Sequence, residues 1–212
     1  MQDFQSVMDL IQPEQVGNYW FRGRSPQPQG RIFGGQVLAQ CLLAANATVD
    51  ESLLAHSMHA YFLRAGDPDS PIEFEVDPIR NGRSFSTRRV VARQHERAIF
   101  NTSISYQVTE EGFSHSEPMP NLTPPAKDSV PQEDPDAAKM RYNILELYGV
   151  ERRRVTQRKE EPQEPTQQNW YRVTGNLKAD QRLHQAALAL ISDFSLLVTA
   201  FYPQRLKHAD RD

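Results

Sequence analysis

Between Arg31 and Ala45 the apolar side chains fall at Val37, Leu38, Cys41, Leu42 and Ala45, the i, i+1, i+4, i+5, i+8 spacing of a helix. Ala39, Leu43 and Ala44 make the other faces small or apolar, so the run predicts a helix buried nearly all round. It is far shorter than the roughly 20 apolar residues of a membrane span. Its cover must therefore be protein, most simply a sheet wrapped around it. Gly34 and Gly35 stand at its start. With no Cβ there, another backbone or a ligand oxygen can approach the first free N–H groups closely.

Upstream, Phe4, Val7, Met8 and Ile11 predict a short amphipathic helix stopped by Pro13. Tyr19 to Gly23 reads as an aromatic strand, and Ser25 to Gly30 as a loop leading to the central helix. Downstream, Leu53 to Val108 breaks into β-rich runs, several alternating with period two. Gly66 to Pro71, the Asn81-Gly82 pair and Gln94 to Arg97 supply the turns between them. Short links imply antiparallel neighbours. One buried helix followed by a curled antiparallel meander predicts an α+β hotdog fold.

Prolines recur between residues 111 and 168 among Glu, Gln and Lys, a linker composition in which only Met140 to Val150 suggests a local helix. Glu151 to Arg154, with Arg158 and Lys159, could form a nucleic-acid or phosphate patch, but Glu151, Glu160, Glu161 and Glu164 lie among them and favour a solvated linker. Beyond it the opening order repeats. Asn169 to Gly175 echoes the aromatic strand, and Asp180 is a candidate N-cap for a helix whose stripe is Leu183, Ala186, Ala187, Leu190, Ile191 and Phe194. The chain ends about fifteen residues after Leu197, before a four-strand meander could follow. The expected organisation is a hotdog domain at 1–110, a Pro-rich linker at 111–168, and the first strand and helix of a partial second hotdog at 169–212.

A net charge of −3 over 212 residues gives no basic field, so neither nucleic acid nor a membrane is expected as a partner. The single cysteine, Cys41, excludes an internal disulfide framework and falls on the buried helix, where packing is favoured over nucleophilic chemistry. The first residues lack a basic stretch followed by an apolar run, so a cytoplasmic protein is expected. His56 and His59, three apart in a strand, point to opposite faces, and neither a metal nor a cofactor is expected.

The sequence resembles the acyl-CoA thioesterase II (TesB-type) family, built as tandem hotdog domains. The match is carried by Arg31-Ile-Phe-Gly-Gly-Gln-Val37, by His56-Ser-Met-His-Ala-Tyr-Phe-Leu-Arg-Ala-Gly-Asp67, by the run from Arg80 to Val90 and by Gly112-Phe-Ser-His115, and it resumes around Trp170 to Leu197. The resemblance implies hydrolysis of acyl-CoA to free fatty acid and coenzyme A, hence a place in fatty acid metabolism. It further implies a water activated by an Asp, a Thr or Ser, and a Gln of the second domain. Ser192-Asp193-Phe194 matches the family's Asp; its partners are expected on later strands of that domain, which these residues do not include.

Read from the residues alone, Asp193 lies at the border of an apolar stripe, where it could serve as a base for water or simply cap a helix. Gly34 and Gly35 either face a thioester or CoA phosphate, or let strand and helix cross closely. Arg64, Arg80, Arg83, Arg88 and Arg89 could meet CoA phosphates, or form a strand's wet face. Asp193 is thus the catalytic candidate, with Gly34, Gly35 and Arg64 as substrate-binding candidates. The alternative is a non-catalytic acyl-CoA-binding or assembly module. A hotdog dehydratase ranks last, because no His stands in a supporting motif. In either of the first two readings, edge-to-edge pairing of hotdog sheets predicts a homo-oligomer.

Overall fold

The computed structural model describes residues 3–125, 143–155 and 161–204. The chain divides into two compact units. One comprises residues 5–112 with 177–193, and the other residues 1–4, 113–176 and 194–212.

In the first unit, α1 (Phe4–Ile11) buries its stripe Phe4, Val7, Met8 and Ile11 as the spacing requires. The strands β1 (Glu14–Gly17), β2 (Trp20–Gly23), β3 (Leu53–Phe62), β4 (Ile72–Asn81), β5 (Phe85–Gln94) and β6 (Arg97–Val108) form one antiparallel sheet in the order β1-β2-β4-β5-β6-β3. The helix α2 (Gly34–Asn46) packs against it, and every residue of that helix except Gly34 and Leu38 is buried. This is the expected hotdog arrangement.

Alternation sorts the sheet into two faces. Phe21, Phe74, Ala92 and Phe100 pair in a row from β2 to β6 and are buried. On the other face Arg22–Glu73, Arg93–Glu75 and Arg89–Asp77 form cross-strand ion pairs at 3.1, 3.2 and 3.4 Å. Arg89 therefore belongs to the wet face.

Arg88 does not. It points inward, 2% exposed, and donates to Thr48 Oγ1, Thr48 O, Arg80 O and Thr87 O. Its guanidinium fork satisfies carbonyls around the C-terminal end of α2, where the helix dipole favours a cation. Cys41 is fully buried in α2 and its thiol is pushed up by desolvation, which makes it a packing residue. His56 is edge-on to Phe85 and His59 to Tyr61, and a bulge at Ala55/Ser57 interrupts the alternation beside His56.

The same unit contains α4 (Gln181–Ser192), N-capped by Asp180 through Arg182 N–H. Its Ala186, Ala187 and Leu190 are buried, and α4 packs antiparallel on α2.

In the second unit, α3 (Ile144–Leu147) is N-capped by Asn143, within the stretch read as a local helix. The strand β7 (Val150–Arg154) pairs antiparallel with β8 (Asn169–Val173). Glu151 to Arg154 are thus strand, which corrects the solvated-linker reading. Val150 pairs with Val173, and Glu151 bonds Arg172 across the ribbon at 2.5 Å and Arg153 on its own strand at 3.7 Å. A partner fifteen or more residues away leaves no local signal. Arg158 and Lys159 lie outside the described residues. The short helix α5 (Leu196–Thr199) and a 3₁₀ turn (Tyr202–Gln204) follow.

Candidate active site

Three buried glutamines fix the entrance to α2. Gln36 and Gln40, one helical turn apart, bond each other at 2.9 Å and both donate to Arg24 O. Gln40 also holds Ile11 O, and Ser25 donates to Gln36. Gln27 donates to Arg31 O and accepts from Phe33 N–H. Together these bonds tie residues 24–33 to the helix and set where Gly34 begins. The sequence signal for them was available: two glutamines in a helix otherwise apolar all round must find internal partners.

At the far side of α2, α4 is secured by Arg182. Its guanidinium donates to Asn46 O and Leu53 O, both at 3.0 Å, and to Asp50 O. Gln185 adds a bond to Ala55 O at 2.7 Å. With α4 held there and running antiparallel, its C-cap residue Asp193 arrives at the first turn of α2. Asp193 Oδ2 accepts from Gly35 N–H at 3.0 Å.

Both glycines are explained by this meeting. A Cβ on Gly35 would strike the carbonyl oxygen of Leu190 and the ring of Phe33. A Cβ on Gly34 would lie 2.6 Å from Asp193 Oδ2 and 2.7 Å from the Phe62 ring. At Gly35 the close approach is between two helices, and at Gly34 it brings the end of α4 and the β3 residue Phe62 onto α2, so helix and strand meet there as well.

Asp193 is half-buried, and desolvation pushes its carboxyl above the ordinary carboxylate range; the Gly35 N–H bond pulls the other way without cancelling it. Oδ1 has no partner among the described residues. A carboxylate held by one oxygen, with the other free and the pair partly desolvated, has the equipment of a general base.

The structure thus brings together Asp193, Gly34 and Gly35. Arg64 is not joined to them: exposed, it donates to Ala98 O at 2.6 Å, and its N–H and that of Leu63 both bond Ile99 O. Phe62, to which the sequence reading gave no role, lies beside Gly34 and Asp193 at the site, as the ring of Phe33 lies beside Gly35.

Comparison with known proteins decides the family. The family model for the acyl-CoA thioesterase N-terminal domain matches residues 23–107, and that for acyl-CoA thioesterase matches residues 146–211. Acyl-CoA thioesterase 2 of Haemophilus influenzae is 33% identical over 208 residues, covering 93% of this chain and 73% of that protein. The chain belongs to the TesB-type acyl-CoA thioesterases. The crystal structure of the acyl-CoA thioesterase II TesB2 of Mycobacterium marinum superposes with a TM-score of 0.74 at 33% identity, covering 94% of this thioesterase-family chain and 71% of that one. A hot dog fold protein of Alicyclobacillus acidocaldarius superposes equally well, TM-score 0.74, at 20% identity over 95% of this chain and 73% of its own; it supports the fold alone. Among the described residues of this TesB-type chain, no helix is long and apolar enough to cross a membrane.

Proposed function

We propose that this chain hydrolyses acyl-CoA thioesters to free fatty acid and CoA, with Asp193 as the base that orients and deprotonates the attacking water. The observation that carries the base assignment is the Asp193 carboxylate bonded to Gly35 N–H at the start of α2, with its other oxygen unpartnered among the described residues. Family membership carries the substrate class.

In the reaction, Asp193 takes a proton from water as the oxygen bonds to the thioester carbonyl carbon. The tetrahedral oxyanion collapses, the carbon–sulfur bond breaks, CoA leaves as a thiolate that takes the proton back from Asp193, and the carboxylic acid formed releases its own proton to solvent. The products are a carboxylate and the free thiol. Because Gly35 N–H is engaged by Asp193, Gly34 is the residue we assign to the carbonyl oxygen, at the positive end of the helix dipole. Arg64 is assigned to a CoA phosphate: it is exposed and its fork has donors beyond the one given to Ala98 O.

Residues 169–212 are read as the opening of a second hotdog unit, since β8 and α4 repeat the order of β2 and α2. We also assign a homo-oligomer, through β3. This ten-residue strand closes the sheet with strand pairing on one side only among the described residues; α4 side chains take Leu53 O and Ala55 O at its start, and a second copy would cover the rest of the edge. A reducing compartment such as the cytoplasm suits the lone buried thiol.

The test is CoA release from a panel of straight-chain acyl-CoA substrates, with Asp193→Asn as control. Release lost in the variant supports the reading. Release equal in both removes Asp193 from the mechanism, and ligand binding with no release by either leaves a binding module. Light scattering at micromolar concentration checks the oligomer, and a monomer would refute it.

A further inference from the structure

The inward-facing row of the sheet does not stop at Phe100. Phe21, Phe74, Ala92, Phe100 and Phe62 are successive register partners across β2, β4, β5, β6 and β3, so all five side chains share the face that packs on α2. The first four are at most 2% exposed, whereas Phe62 is 56% exposed. It is an inward aromatic that still meets solvent.

Two contacts hold it there. Its ring tilts against Phe100 at 5.0 Å between centroids, and its edge lies over Gly34, within the space a Cβ would take. Asp193 Oδ2 borders the same space. The ring and the carboxylate thus flank one point at the N-terminus of α2, and Leu63, the next residue, is a further exposed apolar side chain.

We propose that Phe62 is a specificity-determining residue, the wall against which the acyl chain of the substrate packs beside Asp193. The inference rests on the thioesterase reading above. A thioester placed for attack by a water on Asp193 sends its acyl chain across the nearest apolar surface, and the exposed face of Phe62 is that surface. Each methylene that the ring takes from water is worth about fourfold in kcat/KM. The ring rests against Phe100 with Gly34 beneath it, so it already stands at the N-terminus of α2 before substrate arrives.

The test compares kcat/KM over short, medium and long straight-chain acyl-CoA substrates for the wild type, Phe62→Ala and Phe62→Leu. The expected result is a loss of about tenfold for medium and long chains relative to short ones in the alanine variant, carried by KM, with partial rescue by leucine. An equal loss at every chain length, or none, would overturn the proposal, because a packing role moves all substrates alike. Calorimetric binding of medium- and short-chain thioether analogues of acyl-CoA reads the same preference without turnover. If the wild type releases no CoA but the analogues still lose affinity selectively in Phe62→Ala, the hydrolase reading fails and the subsite stands. Should the alanine variant not fold, leucine carries the comparison.

Discussion

Asp193 Oδ2 and Gly35 N–H meet at 3.0 Å although 158 residues separate them in the chain. The bond lies between the C-terminal end of one helix and the first turn of another, and it is possible only where the second helix carries no Cβ. The bond ties the helix pair together and leaves Asp193 Oδ1 without a partner among the described residues.

If Asp193 is the base, replacing it with Asn lowers kcat by about 10²–10⁴-fold. The wild-type kcat falls on acidification with an apparent pKa above the ordinary carboxylate value of about 3.9, because burial favours the neutral form. Residual activity of the variant should lack that acidic limb. A limb unchanged by the substitution would assign it to another group.

The same raised carboxyl has a consequence for stability. A folded-state pKa above the unfolded one means that the folded chain binds the proton more tightly. Stability from this group is therefore greatest below the unfolded pKa and declines as pH rises through the window between the two values. Asp193→Asn removes that decline. In urea melts the variant should gain on the wild type as pH rises above the ordinary carboxylate value of about 3.9; a constant offset would contradict the linkage.

The two glycines should respond differently to alanine. In Gly34→Ala the new Cβ displaces the ends of two side chains, Asp193 and Phe62, which can move at little energetic cost. We expect near-wild-type stability and a drop in activity of about 10²-fold, from a carboxylate moved by an ångström or so. In Gly35→Ala the Cβ meets the backbone carbonyl of Leu190, which cannot move without shifting α4. That variant should lose about 1–3 kcal/mol. Thermal melts and CoA release on both variants check the contrast.

Arg182→Ala removes the guanidinium from Asn46 O, Asp50 O and Leu53 O. Loss of these charge-assisted bonds should cost about 2–3 kcal/mol, seen as a lower midpoint in urea. Arg182→Lys, with one point charge in place of the fork, should recover only part of it.

Much of the fold is local in origin and legible as such. The apolar pattern of 31–45 determined a helix buried on every side, the period-two runs and their turns determined an antiparallel sheet, and the stripe from Leu183 to Phe194 determined a second packed helix. Asp193 was legible as a carboxylate at an apolar border, and the glycine pair as a place of close approach.

What the pattern could not carry is which elements meet and which way a strand faces. Arg88 looks like one more wet-face arginine, but register turns it inward to the end of α2. Glu151 to Arg154 look like linker until β8 pairs with them and Arg172 meets Glu151. Periodicity records the face that each element buries and says nothing about its partner. Only the antiparallel packing of α4 on α2, held by Arg182 at one end, puts Asp193 on Gly35 and beside the exposed ring of Phe62 at the other. The sequence determined the parts and the chemistry they carry. The tertiary structure decided their meeting, because a contact across 158 residues depends on helix direction and register that no local window contains.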